Sequence, residues 1–192
     1  MIALPILAIA LIAARLGIFL HLHVAHREFS PLRNTVSDYG TGRTRPEFTL
    51  MAALSMPAYA FVLITCSLTG MGPTWALIAG GIGVLAGAVM PLLPTDLTGT
   101  KLTATGVTHW ALAIIQFAGL FVAMTNLVLP ADASPLVFEI ITWIVRITFY
   151  AFLVTLILPK LRRSVMGLAE RLFVTATALW FMTVAAYLIA LG

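Results

Sequence analysis

Apolar residues fill the chain in long runs, and the polar positions collect between them. Breaking the sequence at its Pro, Gly and charged clusters leaves six such runs, at about 2–25, 48–69, 73–93, 107–129, 135–158 and 168–190. Each is roughly 20 residues or more, the length a helix needs to cross about 30 Å of hydrocarbon. A run with no water around it must satisfy its backbone internally, and a helix does so within one segment. The pattern therefore predicts an all-α, polytopic integral membrane protein: a single domain over 1–192 folded as a six-helix transmembrane bundle. In the third run Ala76, Gly80, Gly83 and Gly87 fall on one helical stripe. A stripe without bulk lets a neighbouring backbone come close, the main packing device in lipid.

Composition narrows the function classes. With 61% hydrophobic and 9% charged residues among 192, the chain cannot cover a water-soluble globule. Six spans leave no room for a separate catalytic domain, so any chemistry must occur among the helices or at their ends. The lone Cys66 removes disulfides, thiolate zinc sites and cysteine-ligated clusters. No cofactor is named by any motif. The first run lacks the basic leader of a secretory signal and reads as a retained span.

Charge is placed unevenly. Arg27, Arg33, Arg43, Arg45, Lys101, Lys160, Arg162, Arg163 and Arg171 lie beside the connections between runs 1 and 2, 3 and 4, and 5 and 6. The termini and the other two connections carry no Lys or Arg. By the positive-inside rule the charged loops face the cytoplasm and both termini face out. The net charge of +4 then matches anionic lipid of the inner leaflet. Nucleic acid is not an expected partner, because no basic surface interleaved with aromatics is present.

A few polar side chains sit where burial is costly. Arg15 lies about 16 Å of helix rise from His26, on the same face, and Arg146 is central in the fifth run. A central Arg costs about 2.5 to 3.5 kcal/mol on insertion scales, so both should face the interior and find partners. Glu139, seven residues before Arg146, is the expected partner for it. His109 and Gln116 share a face of the fourth run. Donors outnumber acceptors in this set, which invites an anionic ligand, a lipid phosphate or fatty-acid carboxylate. Backbone carbonyls and water are the alternative partners.

The charged face carries acids and imidazoles. Asp38 in "NTVSDYG", Asp96 in "LLPTDLTGT" and His109 could converge for acid–base chemistry. The structural alternative is that each Asp closes an Asx turn or caps a helix. In "HLHVAH", His21 and His23 point about 200° apart on a helix, and only His23 and His26 could share a face, so no metal site is expected on this helix alone.

These same segments, "NTVSDYGTGRTRPEF", "LLPTD" and "THWALA", resemble the bacterial six-span membrane family known as domain of unknown function 998. That family is similar to the eukaryotic group of damage-regulated autophagy modulators, Sfk-type and Frag-type proteins. Their pattern after the first span is matched by Val36, Ser37, Asp38, Gly40, Pro46 and Glu47, with a longer, more basic segment between Gly40 and Pro46. The resemblance covers the first four runs and implies lipid-related roles in a bacterial cytoplasmic membrane. The leading expectation is thus a protein that binds or handles an anionic membrane lipid. Arg15, His26, Gln116, Glu139 and Arg146 would line its site, with Asp38, Asp96 and His109 at a polar mouth. Two alternatives stand beside it: an intramembrane hydrolase or transferase, with or without a metal, using Asp38, Asp96 and His109, and a transporter of protons or small solutes.

Overall fold

The computed structural model describes residues 2–129 and 136–191. The connection at 130–135 lies outside the described residues, as does the expected start of the fifth run at 135. Among the described residues there is no strand, and six helices are long and apolar enough to cross a membrane. They are α1 (Ala3–Ala25), α2 (Arg45–Leu68), α3 (Thr74–Val89), α4 (Ala104–Asn126), α5 (Leu136–Ile157) and α6 (Pro159–Leu191). Short 3₁₀ turns at Ser37–Gly40, Gly42–Thr44 and Met90–Leu92 join them on the charged face.

The sequence pattern misjudges one boundary by about two and a half turns. Lys160, Arg162 and Arg163 were expected in a loop, yet α6 runs through them from Pro159. Pro suits a first helical position, and the Lys, Leu, Arg, Met, Ala and Glu that follow are good helix formers. Only Leu158 separates α5 from α6. At 33 residues α6 is about 50 Å long, some 20 Å more than a hydrocarbon core is thick, and its Lys160, Arg162 and Arg163 gather at its start.

Packing follows the three hairpins α1/α2, α3/α4 and α5/α6, whose internal contacts are the most extensive. Helix α2 also meets α3, and α1 meets α6, while α4 and α5 touch sparsely. The small-residue stripe is the α3–α4 seam: a side chain added at Gly83 would stand 2.9 Å from the Gln116 carbonyl oxygen and 3.0 Å from the Leu120 nitrogen. Between α5 and α6 the fit is aromatic, with Phe138, Phe149, Phe152, Phe173, Trp180 and Phe181 in one core. Trp180 Nε1 donates to Thr142 Oγ1 at 2.9 Å, and that hydroxyl donates to the Phe138 carbonyl at 2.8 Å. Most helical Ser and Thr hydroxyls bond the carbonyl four residues back, as in Ser55, Thr65, Thr125 and Thr177, which hides their polarity from lipid. Outward positions such as Ile6, Leu20, Ile78, Leu85 and Ile147 are apolar and exposed, as a hydrocarbon solvent requires.

Candidate functional site

The long α1–α2 loop is pinned to α6 by one guanidinium. Arg171, buried, donates from Nη1 to the carbonyls of Pro31 at 3.1 Å, Gly167 at 3.0 Å and Asn34, and from Nη2 to the Tyr39 hydroxyl at 3.3 Å. Its Nε donates to His23 Nε2 at 2.6 Å, so His23 is neutral and its Nδ1–H donates to the Phe19 carbonyl at 2.7 Å. Glu170, its neighbour on α6, accepts the Val36 backbone N–H at 2.8 Å. Thus the loop is held by an acid and a base side by side.

Asp38 serves the same layer. Its carboxylate accepts from Asn34 Nδ2 and the Thr35 N–H, both at 2.9 Å, and from the Thr98 N–H at 2.8 Å. It thereby ties the α1–α2 loop to the α3–α4 loop. Asp96 accepts from the N–H of Thr103 at 2.7 Å and from its hydroxyl at 3.0 Å, and that hydroxyl caps α4 by accepting from Gly106. His109 is buried on α4 with Nδ1 3.1 Å from the Leu93 carbonyl. A carbonyl only accepts, so Nδ1 carries the proton and Nε2 is a bare lone pair without a protein partner. All three are bound into the loop layer; Asp96 alone lines a cavity.

Beneath this layer is an inner chamber of about 60 Å³, bordered by Arg15, Ser37, Ser55, Tyr59, Gln116, Glu170 and Thr177 among apolar side chains. It begins at the loop face with Ser37 and Glu170. It ends about midway along the helices, since Arg15 is about 15 Å of rise from the end of α1 and Gln116 about 18 Å from the start of α4. Arg15 is 2% exposed, and its Nε and Nη1 lack protein partners, as does Gln116 Oε1. Gly87 makes the space: a Cβ there would press on Gln116 and Met56. Four helices, α1, α2, α4 and α6, thus bring scarce polar groups to one interior point.

A larger cleft of about 480 Å³ opens where α4 and α5 separate. One end is polar, with Thr95, Asp96, Thr98, Thr100, Arg162 and Arg163. The wall running into the bundle is apolar, with Ile114, Phe117, Phe149, Phe152, Leu153 and Leu156. Arg162 lies over the Trp110 ring, 5.2 Å from its centroid. Ser37, Phe117 and Glu170 border both the cleft and the inner chamber, so the two spaces share a wall.

Comparison with known proteins matches residues 6–187 to the family described as "Protein of unknown function (DUF998)". The chain belongs to the DUF998 family. No curated protein matches it, and no solved structure does. The match reaches all six helices of this DUF998 protein, beyond the four runs that carried the resemblance.

Not every expected site residue enters these spaces. The Glu139–Arg146 pair is not formed: Glu139 is exposed, whereas Arg146 donates to the Thr125 carbonyl at 3.2 Å and lies over the Trp143 ring. Neighbouring α4 and an adjacent indole satisfy the guanidinium more cheaply than an acid that points outward. His26 stands apart from Arg15, at the end of α1, with Nε2 3.4 Å from Glu47 Oε1. Three residues of this DUF998 protein escaped the sequence reading: Glu170, Tyr59 and the Arg171 clamp. An acid inside an otherwise apolar run was the signal for Glu170. In the loop, Arg43 donates to Glu28 Oε1 at 2.6 Å and so keeps the Glu28 carboxyl below its ordinary pKa range.

Proposed function

We propose that this protein binds an anionic membrane lipid in the cleft between α4 and α5. The observation that carries the reading is the two-ended chemistry of that cleft, whose volume lies within the ordinary range of ligand pockets. Its guanidinium end, at Arg162 and Arg163, sits on the part of α6 that extends into the headgroup region, where a phosphate or carboxylate would be recognised by charge-assisted bonds. Its aromatic and aliphatic wall suits an acyl chain. The sparse α4–α5 contact offers a side entrance, bordered by Trp110 and Ile114, both exposed. Arg15 and Gln116 supply unsatisfied polar atoms deeper in, behind the wall that holds Glu170. In this reading the charged loops and the extension of α6 face the cytoplasm of a bacterial cell.

Mass spectrometry of protein released gently from its membrane tests the reading. The expected result is an anionic lipid bound to the wild-type chain and at least tenfold weaker retention in an Arg162→Ser/Arg163→Ser double variant, since one charge-assisted bond contributes about 1.5 to 3 kcal/mol. Arg33→Ser, a charge change outside the cleft, should leave retention unchanged. Equal retention by all three chains, or none by the wild type, overturns the proposal.

A further inference from the structure

At the end of α1 a second constellation lies outside the cleft and the chamber. His26 Nε2 is 3.4 Å from Glu47 Oε1, and His21 Nε2 is 3.7 Å from Glu47 Oε2. One ligand atom from each of the three residues lies within 4.8 Å of the other two. Two elements meet here: His21 and His26 end α1, and Glu47 opens α2. On an ideal helix the two imidazoles would diverge, but His26 has left the helix with φ −114° and ψ 66°, and its ring turns back towards His21. Ring centroids are 6.1 Å apart.

The spacings discriminate between two kinds of contact. Good N–H···O bonds span about 2.7 to 3.2 Å, so the His26–Glu47 contact at 3.4 Å is at best a long hydrogen bond and the His21–Glu47 one at 3.7 Å is none. Ligands held tetrahedrally at about 2.0 to 2.1 Å from a zinc-type ion stand about 3.3 to 3.4 Å from one another, which the His26–Glu47 separation matches and the His21–Glu47 one approaches. Glu47 Oε2 and His26 Nδ1 are buried without hydrogen-bond partners. On the far side of the His26 ring, Glu28 Oε1 lies 3.6 Å from Nδ1 and is itself held by Arg43. At 3.6 Å this is not a hydrogen bond, but a metal-bound His26 with the proton on Nδ1 would draw the carboxylate in, the pairing that orients such ligands.

We propose that His21, His26 and Glu47 bind one divalent transition cation of the zinc type, with Glu28 orienting His26 and a fourth position open to solvent. Two imidazoles and a carboxylate favour zinc or its borderline neighbours over magnesium or calcium. The ion clips the end of α1 to the start of α2 and so braces the loop that Arg171 pins at its other side.

The test uses the full chain, purified without a polyhistidine tag and stripped with chelator, then titrated with zinc against a chromophoric chelator. One saturable zinc per chain is expected, with cobalt giving the visible d–d absorption of a tetrahedral site. His21→Ala and Glu47→Gln should each abolish that absorption and weaken zinc at least tenfold, and Glu28→Gln should weaken it in the same sense. His21 is exposed, so His21→Ala should keep the wild-type elution profile and melting temperature of the metal-free protein. Zinc binding below one equivalent, or binding unaltered in both His21→Ala and Glu47→Gln, overturns the proposal.

Discussion

Arg171 Nε donates to His23 Nε2 across 2.6 Å, joining α6 to α1 inside the loop layer. The same guanidinium also serves the Tyr39 hydroxyl and the carbonyls of Pro31, Asn34 and Gly167, so its loss would untie the loop and α1 from α6 and leave His23 Nε2 without its donor. Arg171→Met should cost about 3 kcal/mol or more in stability. Arg171→Lys should not rescue it, because one ammonium cannot reproduce a planar fork that bonds on three sides. Thermal melting in detergent checks both; an unchanged melting temperature for either variant would contradict the clamp.

Arg15 predicts the opposite sign. Its guanidinium lies over the Phe19 ring, 5.1 Å from the centroid, but a buried cation whose Nε and Nη1 have no hydrogen-bond partner is still costly. In delipidated protein, Arg15→Met should leave stability equal or raise it by about 1 to 3 kcal/mol. A drop in melting temperature on this change would mean that the side chain is already well satisfied.

The α3–α4 seam should separate two glycines two residues apart, Gly81 and Gly83. At Gly83 an added side chain meets the backbone of Gln116 and Leu120, whereas at Gly81 nothing lies within 4 Å. Gly83→Leu should therefore destabilise by about 2 kcal/mol or more through forced separation of the helices, and Gly81→Ala should be neutral or slightly stabilising. Melting of the two variants beside wild type decides it.

Orientation is open to direct labelling because Cys66 is the sole cysteine and is buried. In a Cys66→Ala background, Thr100→Cys on the charged face should react with a membrane-impermeant maleimide only after the cells are opened. Gly70→Cys, at the α2–α3 turn, should react in intact cells. The reverse pattern would invert the topology read from the arginines.

Much of the architecture was legible because lipid imposes strong rules on sequence. Six apolar runs had to be helices, and the Gly80–Gly83–Gly87 stripe had to be a seam. The extension of α6 was misread because charge marks where a helix leaves hydrocarbon, not where it ends; Pro159 was its true start signal. Arg15 and Gln116 were legible as interior groups from the expense of burying them. Glu170 carried the same signal and was passed over, whereas Tyr59 was not legible, since which helix faces carry into one space depends on how four helices are rotated against each other. His21 was set aside by ideal helical angles, and a single residue beyond the end of α1 was enough to void that geometry.

The one-residue link at Leu158, together with the aromatic seam between α5 and α6, makes those two helices a fixed jaw. Helices α3 and α4 are welded by their glycines into another. Under the proposed lipid binding, a ligand entering the cleft would part these two pairs along the α4–α5 seam, which holds few contacts, and leave the α3–α4 and α5–α6 seams closed. In that reading a cross-link between α4 and α5 would slow entry and exit alike while leaving the balance between them nearly untouched.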